Sequence, residues 1–113
     1  MKLKEIAERL GLEVIAAKER LEEEVSSGYT SDLLSDVIAN SKERNLWITL
    51  QIHPNVVAVA KLKDLAGIVV INGRIPEEET KEKAQKEGIP LLLSKESAFT
   101  LSGKLYALLK GDN

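Results

Sequence analysis

The chain contains no cysteine, which excludes disulfides, cysteine zinc sites and thiol catalysis and fits a reducing compartment. It has a single histidine and no neighbouring pair of metal-ligating partners for it, so no metal site is assigned. Neither charge is in excess: 16 Lys and Arg stand against 18 Asp and Glu, giving a formal charge of −2. The two signs are interspersed, so nucleic-acid binding is not expected. Long apolar runs are also missing. The longest, Val56 to Ala60, is far too short to cross a bilayer, and Met1 to Leu10 is charged where a secretory signal is apolar. No membrane partner is expected, and the cytoplasm is the expected location. Gly-x-x-x-x-Gly-Lys, Gly-x-Gly-x-x-Gly and Gly-x-Ser-x-Gly loops are all absent, so P-loop phosphotransfer, Rossmann cofactor binding and nucleophile-elbow hydrolysis lack their signatures. No catalytic residue and no cofactor is assigned, and the chain reads as a non-enzyme.

What is present is enough apolar material for one core. With 113 residues, 43% hydrophobic and 30% charged, residues 1–113 are expected to form a single domain. Leu3, Ile6, Ala7 and Leu10 fall at helical spacing and Gly11 supplies a left-handed stop. Leu12 to Ile15 and Glu24 to Tyr29 read as short extended pieces. Thr30 or Ser31 is a candidate cap for a helix with Asp32 in its first turn and Leu34, Val37 and Ile38 on a face toward the sheet. From Leu46 onward an apolar strand, a polar loop and a helix recur three times. The strands are Leu46 to Ile52, Gly67 to Ile71 and Pro90 to Leu93, and the helices begin near Pro54, Glu77 and Lys95. Continuously apolar Ile68 to Ile71 suits a parallel strand covered on both faces. The fold class predicted is α/β, three-layer α/β/α with a mainly parallel central sheet.

The segment Val56 to Ala60 is β-branched, but Pro54 at a helix start and the need for a crossover make it a helix, apolar enough to be buried on more than one side. The helix after Pro76 has Glu77, Glu78 and Glu79 at its positive end, little apolar besides Ala84, and should be solvated. The last helix presents Ala98, Leu101, Leu105 and Leu108 on one packing face.

Parallel strands send their exit loops to one edge of the sheet, where open α/β folds bind ligands. That edge gathers Thr49, Gln51, His53 and Asn55 after the first strand, Asn72, Gly73 and Arg74 after the second, and Ser94 and Lys95 after the third. With Gly28 to Asp32 as a candidate neighbour of this rim, Arg74, Lys95 and backbone donors at helix starts would suit a phosphate- or carboxylate-bearing ligand. Each residue also has a plainer role: Asn72-Gly73 tolerates positive φ, Ser94 caps a helix, and His53 is a cap or loop residue rather than a general base. Glu22-Glu23-Glu24 reads as a solvated run, since consecutive side chains diverge. Ile6 to Leu12 looks like the start of a helix-turn-helix, but the Glu13-Val14-Ile15 that follows leaves no recognition helix.

Three stretches, Gly28 to Val37, Leu46 to Asn55 and Leu65 to Arg74 with Pro76, together resemble the DRTGG-domain family over nearly the whole chain. The resemblance implies a fold like that of the N-terminal domain of HPr kinase/phosphorylase, without that enzyme's kinase domain. It also implies a regulatory or dimer-forming unit of the type found in phosphotransacetylases and beside CBS domains in regulatory pyrophosphatases. The naming residues differ: Glu22-Glu23 stand where Asp-Arg is usual, and Ser26-Ser27-Gly28 and Ile71-Asn72-Gly73 stand where Thr-Gly-Gly is. The expected function is a non-catalytic regulatory or protein-interaction domain, a homodimer that reports to a partner protein. Its self-complementary surface is expected from Val56 to Ala60 and Trp47, although Trp47 also suits the core. The alternative is a sensor for a nucleotide or other phosphorylated small molecule at the strand-end cleft.

Overall fold

Three short segments without a charge dictate the architecture, because a strand apolar on both sides must be covered on both faces. In the computed structural model, which describes residues 1–111, these are β3 (Asn45–Thr49), β4 (Gly67–Val70) and β5 (Leu91–Leu93). The remaining elements are α1 (Leu3–Leu10), β1 (Glu13–Ala16), a 3-10 turn (Lys18–Arg20), β2 (Ser27–Thr30), α2 (Leu34–Asn40), α3 (Asn55–Leu62), α4 (Glu78–Glu87) and α5 (Ala98–Lys110). The strand order is β1-β5-β4-β3-β2; β2 to β5 are parallel and β1 closes the far edge antiparallel to β5.

Side chains alternate along β3 and β4 between two cores, as the period of two requires. Leu46, Ile48, Val69, Ile71 and Leu92 pack under α1 and α5. Trp47, Ile68, Val70 and Leu91 pack on the other side, under α2, α3 and α4. The fold is therefore the three-layer α/β/α arrangement that the recurring strand and helix pattern implies.

Several expectations are corrected. The segment Val56 to Ala60 is helical, but Val56, Val57, Val59 and Ala60 are covered by the chain's own sheet and helices, and Trp47 is fully buried with its indole N–H donating to the Ser31 carbonyl at 2.8 Å. Neither offers a surface to a second subunit. The predicted cap of α2 is also replaced: α2 begins at Leu34 with no side-chain cap, the Thr30 hydroxyl lies 2.7 Å from that of Ser102, and Asp32 bonds a neighbouring loop. The face of α2 meets the sheet only in part, since Val37 is buried and Ile38 is exposed. Ser94 is not the cap of α5; that is Ser97, whose hydroxyl accepts from Thr100 N–H at 3.2 Å. The first strand of the repeating half stops at Thr49 rather than Ile52, because the next backbone N–H turns to Asp32. Solvated α4 and the packed face of α5 are as expected, with only Thr80 and Ala84 buried in the former and Leu101 and Leu105 buried in the latter.

Three helices stop in the same way. Gly11, Asp64 and Gly88 have φ of 65, 53 and 70°, and the N–H of the next residue donates to the carbonyl of Ala7, Ala60 and Ala84, each at 2.9 Å. This double turn satisfies carbonyls that the helix end would orphan. At Asp64 a Cβ stands where the other two sites have none, and left-handed backbone is unfavourable for an L side chain. Asp64→Gly is therefore expected to stabilise the chain by about 0.5 to 1 kcal/mol. Urea unfolding with a raised midpoint and unchanged slope is the expected record; a lowered midpoint would mean that the Asp64 side chain contributes more than its backbone loses.

Candidate functional site

The exit loops of β2, β3 and β4 lead to helices on one face of the sheet, and that of β5 leads to α5 on the other. Loops diverging to opposite faces open a crevice between neighbouring strand ends, the usual ligand position in open α/β sheets. Here the divergence falls between β4 and β5. All nine predicted site residues do lie at this carboxyl edge, but the structure divides eight of them into two groups of four and leaves Asn72 in a turn outside both.

In the first group Thr49 and Gln51 are consumed by a network around Asp32, a residue that the sequence places in a first helix turn near this rim. Its Oδ1 accepts from Thr49 Oγ1 at 2.9 Å and from Leu50 N–H at 2.7 Å, and its carbonyl accepts from Gln51 Nε2 at 2.8 Å. Thr49, 1% exposed, has no room for a ligand. Exposed His53 directs Nδ1 at the Asn55 N–H, 3.1 Å away, and so caps the start of α3, while the Asn55 side chain is exposed. Thr49 and Gln51 thus tie two loops together, whereas His53 and Asn55 act only within their own. Asp32→Ala strands a buried hydroxyl and is expected to cost about 2 kcal/mol. Asp32→Asn, which retains an acceptor oxygen, should recover over half of that in denaturant titrations. Equal losses in the two variants would mean that the charge, not the acceptor, holds the loops.

The second group lines a cleft of about 380 Å³ formed by Gly73, Arg74, Ser94 and Lys95 with Ile75, Leu93 and Glu96. Its third wall is Leu10, Gly11 and Glu13, from the turn joining α1 to β1. These three were missed, because antiparallel β1 reaches this edge only by pairing with β5, 80 residues downstream in register at Glu13 and Leu93. The backbone donors expected to meet an anion are engaged: Asn72 N–H donates to the Glu96 carbonyl at 2.9 Å and Gly73 N–H to the Ser94 carbonyl at 3.0 Å. Asn72 and Gly73 both hold positive φ, 58 and 67°, as the dipeptide suggests. Ser94 Oγ accepts from Glu96 N–H at 3.1 Å, a local turn rather than a helix cap. Arg74 Nη1 donates to the Leu50 carbonyl at 2.5 Å and so joins the cleft to the Asp32 network. Lys95 is exposed and in no ion pair among the described residues. The cleft thus offers two cations, two carboxylates and apolar walls.

Elsewhere the charges are paired locally. Glu22, Glu23 and Glu24 diverge to Lys2, to Arg20 and Arg44, and to the amino terminus, respectively. No group of three His, Asp or Glu able to hold a metal occurs among the described residues, and none of their helices is long and apolar enough to cross a membrane. Beside the site, Tyr29 hydroxyl donates to the Asp36 carboxylate, 2.9 Å from both oxygens, and Asn40 Nδ2 donates to Oδ1 at 2.8 Å. Hydrogen bonds from Asn40, Ser31 and Tyr29 hold the Asp36 carboxyl below its ordinary value, and the bond to Asp36 raises that of Tyr29. A depressed carboxyl contributes stability that is full above its unfolded value, near pH 4, and is lost as pH falls through the folded one. Asp36→Asn should therefore be less stable than the parent at neutral pH, and the gap should close in acid. A gap of constant size from neutral to acid pH would dissociate the Asp36 charge from stability.

Neither a family model nor a curated protein matches the sequence. Among solved structures, the chain is similar to one described as the CBS and DRTGG domains of the regulatory region of Clostridium perfringens pyrophosphatase, complexed with its activator, diadenosine tetraphosphate. The TM-score is 0.68 at 17% identity, covering 92% of this chain and 45% of that one. The fold is DRTGG-like. At this identity the likeness concerns the fold, and this DRTGG-like chain spans less than half of that regulatory region's length.

Proposed function

We propose that the chain is a non-catalytic regulatory domain that works as a homodimer and passes its state to a partner protein. The observation that carries this reading is the fold it shares with a pyrophosphatase regulatory region. The local chemistry agrees: His53 holds the start of α3, and Thr49 and Gln51 hold loops, so the polar residues nearest to a catalytic arrangement have structural partners.

A specific observation favours a second reading, a sensor of phosphorylated small molecules. Arg74 and Lys95 face one cleft at the divergence of β4 and β5, and the similar structure was solved with a nucleotide activator. In this reading the phosphates lie between the two cations and the rest of the ligand lies against Leu10, Ile75 and Leu93. Glu13 and Glu96 in the same cleft oppose a highly charged anion, so the apolar walls rather than charge are what favour an organic phosphate over inorganic phosphate. Calorimetric titration with AMP, ATP, diadenosine tetraphosphate and inorganic phosphate tests it. Saturable binding of at least one nucleotide, weakened roughly tenfold or more by Arg74→Ala and by Lys95→Ala, is the expected result. Absence of heat with all four ends the sensor reading and leaves the regulatory one to be judged by subunit association.

A further inference from the structure

Of the cations in the cleft, Lys95 has no side-chain partner among the described residues, whereas the head group of Arg74 is already held by the Leu50 carbonyl, which accepts from Nη1. A guanidinium carries five N–H donors in one rigid plane. Spending a donor on a fixed carbonyl orients that plane. It leaves the edge formed by Nε and Nη2, which has no partner among the described residues, for two parallel bonds to a phosphate. An anchored side chain also has less rotamer freedom to lose when a ligand arrives. The anchor serves only if Leu50 itself stays in place, and no strand holds it there: β3 ends at Thr49, and Leu50 to Ile52 lie in neither helix nor strand. What holds Leu50 is Asp32, whose Oδ1 accepts its N–H at 2.7 Å and the hydroxyl of buried Thr49 at 2.9 Å. Gln51 fastens the same stretch twice, from Nε2 to the Asp32 carbonyl at 2.8 Å and from its own N–H to Thr49 Oγ1 at 3.1 Å.

We propose that Asp32, which does not line the cleft, is the positioning residue for Arg74, so that the grip of the cleft on a phosphate and the bond between the β2 and β3 exit loops strengthen together. The inference rests on the sensor reading above and adds how that site is set and where its occupancy is felt. A phosphate on the free edge of Arg74 fixes the guanidinium, the guanidinium fixes the Leu50 carbonyl, and the Leu50 N–H then stays on Asp32. The neighbours of Asp32 lead into α2: the Ser31 carbonyl accepts the Trp47 indole N–H at 2.8 Å, and Ser31 Oγ accepts the Leu33 N–H at 3.2 Å. Because α2 has no side-chain cap and Val37 as its buried residue, its start depends on these bonds more than on packing. Occupancy of the cleft therefore reaches α2, although β3 separates β2 from β4. Linkage makes the effect mutual: Asp32 raises ligand affinity by the factor by which the ligand strengthens the Asp32 contacts.

Calorimetric titration of the whole chain with AMP, ATP, diadenosine tetraphosphate and inorganic phosphate, on the parent, Asp32→Ala, Arg74→Ala and the double variant, tests the inference. A ligand that binds the parent should bind Asp32→Ala at least roughly fivefold more weakly, and Asp32→Asn, which keeps an acceptor for Leu50, within about twofold of the parent. In the Arg74→Ala background, Asp32→Ala should make no further difference, because nothing remains to be positioned. Hydrogen exchange at the Leu50 amide is a second readout that needs no Asp32 variant to fold: saturating ligand should slow it in the parent and leave it unchanged in Arg74→Ala. Equal weakening by Asp32→Ala in both backgrounds, or a Leu50 amide in the parent indifferent to bound ligand, overturns this inference and leaves the sensor reading standing. A parent that binds none of the four overturns both.

Discussion

The rest of the molecule depends on the double covering of β3 and β4. Every residue from Asn45 to Thr49 and from Gly67 to Val70 is buried. Returning one such Leu, Ile or Val side chain to water would cost about 1.5 to 3 kcal/mol, so helices on both faces are obligatory. Parallel pairing then requires a crossover after each strand. Because β2, β3, β4 and β5 add to the sheet in one direction, their three crossovers stack α2, α3 and α4 on one face. The other face would remain bare without α1 and α5. The place where the chain changes face, after β5, follows from that need, and it is where the cleft opens.

Elements whose pattern is local were legible in the sequence. The uncharged strands, the acidic start and glycine stop of α4, the turn at Asn72-Gly73 and the aliphatic face of α5 each carry their reason within a few residues. The sheet edges were less legible. β2 is Ser-Gly-Tyr-Thr, with three of its four residues exposed, and it exists as a strand because β3 offers it a ladder. Similarly, α2 has one fully buried residue, Val37, and its position owes much to the loops that precede it.

The candidate site was legible as a place but not as a set of side chains. Parallel topology brings Thr49, Gln51, Asn72, Arg74 and Ser94 to one edge whatever their chemistry. Which of them face solvent depends on residues distant in sequence: Asp32 occupies Thr49 and Gln51, and the Glu96 carbonyl occupies the Asn72 N–H. The hub Asp32 carried a signal, an acidic residue two positions beyond a strand, but a place in the first turn of a helix explained the same residue equally well. The apolar run of α3 misled for a related reason. β-Branched breadth registers burial without saying whether the cover is the chain's own or another subunit's, and here it is the chain's own.

The cleft and the outer side of α5 share one short connection, Ser94 to Ser97. Lys95 faces the cleft; the Glu96 carbonyl accepts the Asn72 N–H across the crevice while its carboxylate binds Lys104 on α5; Ser97 caps the helix. Under the sensor reading proposed above, a ligand held by Lys95 would act on the residues from which α5 starts. Under that reading any second binding event on α5 is coupled to the ligand reciprocally, by thermodynamic necessity: whatever factor it adds to ligand affinity, the ligand adds to it.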